Sequence, residues 1–155
     1  MPPLEAPRGI YPARVDDKGR LKLPVPFQQY LGSLPEKKLF TTSLDRRTAR
    51  IYPVFIWRET ENGLRTARGE DAARARRVRF TAQDLGADSE MDGQGRVLLS
   101  PELRRELGIE NQSVRIVAEG GRIDVLPEPV FEERKRQAAA HAEEDLEALE
   151  MSGLV

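Results

Sequence analysis

The chain has 155 residues, 39% hydrophobic and 33% charged, which describes a globular chain with a charge-rich surface and room for one domain or two small units. It has no cysteine and one histidine, which excludes disulfides, thiolate metal sites, cysteine nucleophiles and histidine metal clusters. The net charge of −1 conceals a split: residues 1–80 hold 17 Lys/Arg and 9 Asp/Glu, and residues 81–155 hold 8 and 17. A basic half attracts phosphates, and an acidic half repels them and can pair with a neighbouring subunit; chance clustering of solvated charge is the bland alternative.

The segment Met1-Pro-Pro-Leu-Glu has neither a basic n-region nor an apolar h-region, so no secretory leader is expected. No apolar run approaches the roughly 18 residues that span a bilayer. From Val15 an extended segment enters the turn Asp16-Asp-Lys-Gly-Arg20, where Gly19 supplies a backbone conformation other residues reach only with strain. Leu21 and Leu23 then alternate as on one face of a strand. A short helix follows, with Pro26, Phe27 and Leu31 in it and Gly32 closing it. Strands are expected at Lys38–Ser43 and Ala49–Tyr52, around a turn at Asp45-Arg-Arg47, before a helix starting near Pro53 and carrying Trp57.

The same order then repeats. Residues 15–32 align without gaps on residues 91–108, a shift of 76, with identical pairs Asp16/Asp92, Gly19/Gly95, Arg20/Arg96, Leu23/Leu99, Leu31/Leu107 and Gly32/Gly108. In the second copy Ser100 is a good N-cap, Pro101 suits the first helical position, and Gly108 can close the helix. A hairpin is expected from Ser113–Ala118 and Arg122–Leu126 around Glu119-Gly-Gly121, then Pro127 and a helix carrying Phe131. Trp57 and Phe131 are read as core anchors rather than base-stacking platforms. Between the copies, Arg65–Phe80 reads as an Arg-rich helical connector; after them, Glu132–Leu149 reads as a polar helix or partly disordered tail. One unit of about 40 residues is too small to bury an adequate core, so two copies that exchange strands would share one.

These residues resemble the MraZ family, a double-repeat branch of the AbrB-like swapped-hairpin superfamily. The likeness covers about residues 8–131: Arg8-Gly9, the turn Asp16–Arg20 with Leu-x-Leu-Pro, Ile51-Tyr52-Pro53…Trp57, Arg76-Arg77-Val78, and most strongly Met91–Ile109. It departs at Phe80–Asp88, and Val125-Leu-Pro-Glu-Pro stands in place of the family's Leu-Trp. The resemblance implies a β-rich α+β fold, two tandem swapped-hairpin units forming a shared β core with peripheral helices. The units are placed at 8–64 and 85–131, with a connector at 65–84 and a tail at 132–155. It implies a cytoplasmic, nucleoid-associated bacterial regulator with no cofactor, metal or small-molecule substrate. Such a protein assembles into a ring of identical subunits and binds promoter direct repeats in double-stranded DNA, usually repressing the division and cell-wall gene cluster.

The candidate DNA-binding residues are Arg14, Lys18, Arg20, Lys22 and Arg96, and the turn-forming residues are Asp16, Gly19, Asp92 and Gly95. Lysines at a turn suit phosphate contact, and an arginine can also read guanine. Arg20 and Arg96 each lie four residues after an aspartate, so an internal pair that locks the turn competes with a DNA contact. The second turn has Gln94 and Leu98 where the first has Lys18 and Lys22, so the first copy is taken as the DNA face and the second as mainly structural. The Arg65–Arg79 cluster is read as pairing with an acidic neighbour, or alternatively as a second phosphate track. An enzyme is not expected: phosphate-loop and dinucleotide signatures are missing, and His141 sits in the tail away from either repeat. The rival reading is an AbrB-like protein-interaction module without DNA activity, an antitoxin-type partner binder or a ring scaffold, for which the acidic tail Glu143–Glu150 would serve a partner.

Overall fold

The computed structural model describes residues 4–155. In chain order, β1 (Ile10–Arg14), β2 (Arg20–Lys22), α1 (Val25–Ser33), β3 (Leu39–Thr42), β4 (Ala49–Pro53) and α2 (Val54–Thr66) form the first copy. After α3 (Glu70–Leu85) come β5 (Ala87–Ser89), β6 (Arg96–Leu98), α4 (Pro101–Leu107), β7 (Ser113–Glu119), β8 (Arg122–Pro127) and α5 (Glu128–Ala140), the same series again; α6 (Ala142–Met151) ends the chain. The fold is α+β. No helix among the described residues is long and apolar enough to cross a membrane.

Six strands make one sheet in the order β1-β7-β8-β4-β3-β5, and β2 pairs with β6 in a separate two-stranded ribbon; every pairing is antiparallel. The first strand of each copy therefore adds to the third strand of the other: β1 lies on β7 and β5 on β3. Interchanging the copies leaves the strand order unchanged, so a pseudo-two-fold axis runs between β4 and β8, where Ala49 faces Val125 and Ile51 faces Ile123. The pairing explains how two small units share one interior. Val15, Leu21, Leu23, Phe27 and Leu31 pack with Val97, Leu99 and Leu103 in a single buried cluster. Each such side chain taken out of water contributes about 1.5–3 kcal/mol, which a lone 40-residue unit cannot accumulate.

Local chemistry shapes the elements. Ser100 caps α4 by accepting from the Leu103 N–H at 3.2 Å, and Gly108 ends it at φ 64°. The hairpin β7–β8 turns on Gly120 and Gly121, both at positive φ, the combination that matches strand twist. In the first copy Gly32 does not close its helix: α1 runs through it to Ser33 and ends at Leu34, whose side chain is buried. Lys37 takes over the capping, donating to the carbonyls of Gly32 and Leu34. The Arg-rich stretch is likewise not one helix. It is divided among α2, a break at Gly69 with φ 64°, and α3. The Glu132–Leu149 run is helical, interrupted only at His141.

A smaller core sits on the outer face of the sheet. Tyr52, Trp57 and Ala82 are buried there with Phe40 stacked on Trp57 at 4.6 Å. Trp57 is thus a core anchor. Phe131, expected in the same role, is only half-buried, with the Arg115 guanidinium 4.4 Å over its ring. The helix that covers Trp57 has no counterpart over Phe131.

Candidate nucleic-acid interface

The ribbon β2–β6 pairs Arg20 with Leu98, Leu21 with Val97 and Lys22 with Arg96. Strand alternation sends Leu21 and Val97 fully inward, and so turns Arg20, Lys22, Arg96 and Leu98 outward together. Four of the five candidate DNA-binding residues thus belong to the ribbon or to the turn leading into it. Both copies contribute to one face: Arg96, taken as mainly structural, stands directly across from Lys22. Two like charges in register oppose pairing, and an approaching phosphate would relieve that opposition.

Each end of the ribbon is held by one of the turns. Asp16 Oδ1 accepts from the backbone N–H groups of Lys18 and Arg20, both at 2.9 Å, and Oδ2 accepts from Arg20 Nε at 2.8 Å. Asp92 repeats the pattern with the N–H groups of Gln94 and Arg96 and with Arg96 Nε, all at 2.9 Å. The hydrogen bond from the Arg20 N–H, with further help from its side chain, holds the Asp16 carboxyl down at about 2. Asp92 is lowered for the same leading reason, the Arg96 N–H. The two readings of Arg20 and Arg96 are therefore not exclusive. The aspartate engages Nε and fixes the orientation of the guanidinium, while the terminal nitrogens have no protein partner among the described residues. A guanidinium steadied in this way loses less freedom on meeting a ligand.

Gly19 and Gly95 have φ of 84° and 76°, and each is also a point of close approach. A Cβ on Gly19 would lie 1.9 Å from Arg104 Nη1, and one on Gly95 would lie 2.2 Å from Gln28. Arg104 and Gln28 occupy equivalent positions, donating to the carbonyls of Leu99 and Leu23. Each turn therefore rests on a helix of the opposite copy.

The remaining candidates differ. Lys18 is exposed at the tip of the first turn, and its ammonium has no hydrogen-bond or ion-pair partner among the described residues. Lys22 reaches across the ribbon and donates to the Gln94 carbonyl, tying the second turn to the first copy. Arg14 lies on the edge strand β1 and is held by Asn111, donating to its carbonyl at 2.7 Å and to Oδ1 at 3.0 Å. It borders a shallow depression with Lys22, to the side of the ribbon face. In the Arg-rich connector, Arg74 pairs with Asp71 at 3.2 Å and Arg65 lies 4.0 Å from Glu61, both within one helix. Arg68, Arg76, Arg77 and Arg79 have no acidic partner within 4.0 Å among the described residues.

Leu98, noted in the sequence only as the counterpart of Lys22, is an exposed leucine amid these cations. Sequence reasoning missed the supports Gln28, Arg104 and Asn111, whose roles arise from contacts distant in sequence. Among the described residues no cluster of His, Asp or Glu could hold a metal ion.

Protein-family models give no match to this chain. Individual proteins do. The chain is 33% identical to the transcriptional regulator MraZ of Acidobacterium capsulatum over 150 residues, 95% of this chain and 99% of that protein. It is 30% identical to the protein of that name from Nitrosococcus oceani over 142 residues, 90% of this chain and 93% of that protein. With the namesake from Koribacter versatilis it shares 33% identity over 106 residues, 68% and 71% of the two chains. Likeness of this extent, spanning both turns and the strands they exchange, places the chain in the MraZ family.

Proposed function

We propose that this protein is a sequence-specific DNA-binding transcriptional regulator without catalytic activity, and that it meets double-stranded DNA with the outward face of the β2–β6 ribbon. The observation that carries this reading is the gathering of Arg20, Lys22 and Arg96 on one exposed two-stranded surface, beside Lys18 at its tip. A two-stranded ribbon fits the major groove, where steadied guanidinium groups read guanine and lysines meet phosphates. The relatives' description as transcriptional regulators supports it independently. In the finer form implied by the family, the strand exchange is a tandem swapped hairpin dividing the chain at 8–64 and 85–131. The protein acts in the cytoplasm at the nucleoid as a ring-shaped homo-oligomer. It represses the division and cell-wall gene cluster by binding promoter direct repeats, and repetition along the DNA multiplies each modest interaction.

The test is a salt titration of binding to DNA from upstream of the protein's own gene and to a scrambled duplex, for wild type and Lys18→Ala. Removing a cation that neutralises one phosphate flattens the slope of log K against log salt by about 0.9. Lys18→Ala should weaken both duplexes alike. An intact oligomer whose affinity and slope are unchanged by Lys18→Ala would remove the ribbon tip from the interface. A wild type that does not prefer its own upstream DNA would count against the regulator reading as a whole.

A further inference from the structure

The pseudo-two-fold axis lets one half of the molecule serve as a template for the other. Over the first copy, α3 covers a site formed by Phe40, Thr42, Tyr52 and Trp57; Ala82 is fully buried there, and its carbonyl accepts from Thr42 Oγ1 at 2.7 Å. The registers of β3 with β5 and β7 with β1, and of the paired β4 and β8, match these residues to Arg115, Val117, Leu126 and Phe131. Arg115, Val117 and Phe131 are partly open, while Leu126 is buried. Ile10, Val117, Leu126 and Phe131 line an apolar groove between β1 and α5, with Ile10 half exposed and Arg134 and Lys135 on its rim. It is the place of α3 without its helix.

The chain carries a helix fitted to that place and prevents it from reaching there itself. Helix α6 exposes Leu146 and Leu149, three residues apart on one face. Residues 142–155 hold Glu143, Glu144, Asp145, Glu147 and Glu150 and no Lys or Arg. Helix α3 folds back over α2 across the three residues 67–69, whereas only His141 separates α5 from α6. Reversing two helices takes a loop of about two to five residues. The charges also select. The rim positions Arg134 and Lys135 correspond to Thr60 and Glu61 of the first copy, whose covering helix is Arg-rich. The rim of the open groove thus presents two basic groups to an acidic helix, where the matching positions of the closed one carry a threonine and a glutamate.

We propose that the groove between β1 and α5 receives the acidic helix α6 of a second copy of this chain, apolar face inward. Donor and acceptor surfaces differ, so each copy gives a helix to one neighbour and takes one from another, a heterologous contact that closes into a ring when its rotation permits. This deepens the homo-oligomer part of the proposed function, rests on that part, and is independent of DNA binding.

A cysteine-free chain permits a direct test. Ala138 lines the groove and Leu146 is exposed on α6, so Ala138→Cys and Leu146→Cys proteins are mixed and oxidised at low salt, with mass followed by light scattering. A mixed disulfide between the two variants is the expected main product. Arg134→Glu with Lys135→Glu, both exposed, should lower its yield by about tenfold through like-charge repulsion, and Glu143→Lys with Glu147→Lys and Glu150→Lys in the partner should restore it. An intact oligomer that gives no mixed disulfide overturns the docking and leaves the oligomer standing. A monomer at micromolar concentration overturns both. A disulfide formed within one chain of the double-cysteine variant at high dilution overturns the assignment to a second copy.

Discussion

Asp16 and Asp92 hold their turns through the same three hydrogen bonds, yet the outward residues around them are Lys18 and Lys22 in one copy and Gln94 and Leu98 in the other. The contrast separates what a fold unit needs from what a surface does. Fixing the turn requires a carboxylate, a glycine and an arginine at set spacing, because backbone N–H groups and a positive φ are satisfied by little else. Positions facing water carry no such demand, so the two copies there are unlike.

Changes to the glycines should break the comparison most severely. Gly19→Ala places a Cβ against Arg104 and at φ 84°, and should destabilise by about 1–3 kcal/mol from backbone strain, before any cost of displacing Arg104 from the Leu99 carbonyl. Gly95→Ala should do the same through Gln28. Chemical denaturation of the two variants measures this, and a silent Gly95→Ala would show that the turns are not equivalent supports.

The arginines sharpen it next. Arg20→Ala should lose on the order of 1–3 kcal/mol of preference for the operator over scrambled DNA if the guanidinium reads a guanine. Arg96→Ala should lower melting temperature and oligomer content more than affinity. The shared face makes this a sharp test: an Arg96→Ala protein that melts normally but no longer binds DNA would make the second copy an equal reader.

Leu98→Lys, which supplies the second copy with the counterpart of Lys22, should steepen the salt slope by about 0.9 for each further phosphate neutralised and tighten scrambled and operator DNA together. An unchanged slope would place Leu98 outside the reach of the backbone.

The smallest expected effect is that of acid. The Arg20 N–H holds the Asp16 carboxyl down at about 2 against an ordinary value of 3.8, so its stabilising contribution is complete above about pH 5 and is lost progressively as pH falls through 3.8 toward 2. Asp92, lowered as well, acts in the same direction. Asp16→Asn should flatten the acid limb of a plot of melting temperature against pH. An acid limb identical to wild type would mean that the carboxylate does not hold the turn.

The two turns, the strand alternation and the caps Ser100 and Gly108 were legible in the sequence, since each depends on neighbours within about four residues, and the repeat was legible because its copies align without gaps. A register of 76 residues and two Asp-x-x-Gly-Arg turns also carried the likeness to the family, and the cations around the first turn marked that copy as the expected DNA face. What sequence could not decide depends on partners far along the chain. That Arg96 stands across from Lys22, and that Arg14 is held by Asn111, follows from strand exchange between the copies. Gly32 and Gly108 are identical in sequence, yet one lies inside a helix and the other ends one, because burial of Leu34 draws α1 past its glycine. Trp57 and Phe131 also occupy matching positions. A three-residue link lets a helix cover the first and a one-residue link leaves the second open, so the tertiary packing of the connectors, rather than the aromatic residues themselves, decided which became core and which became surface.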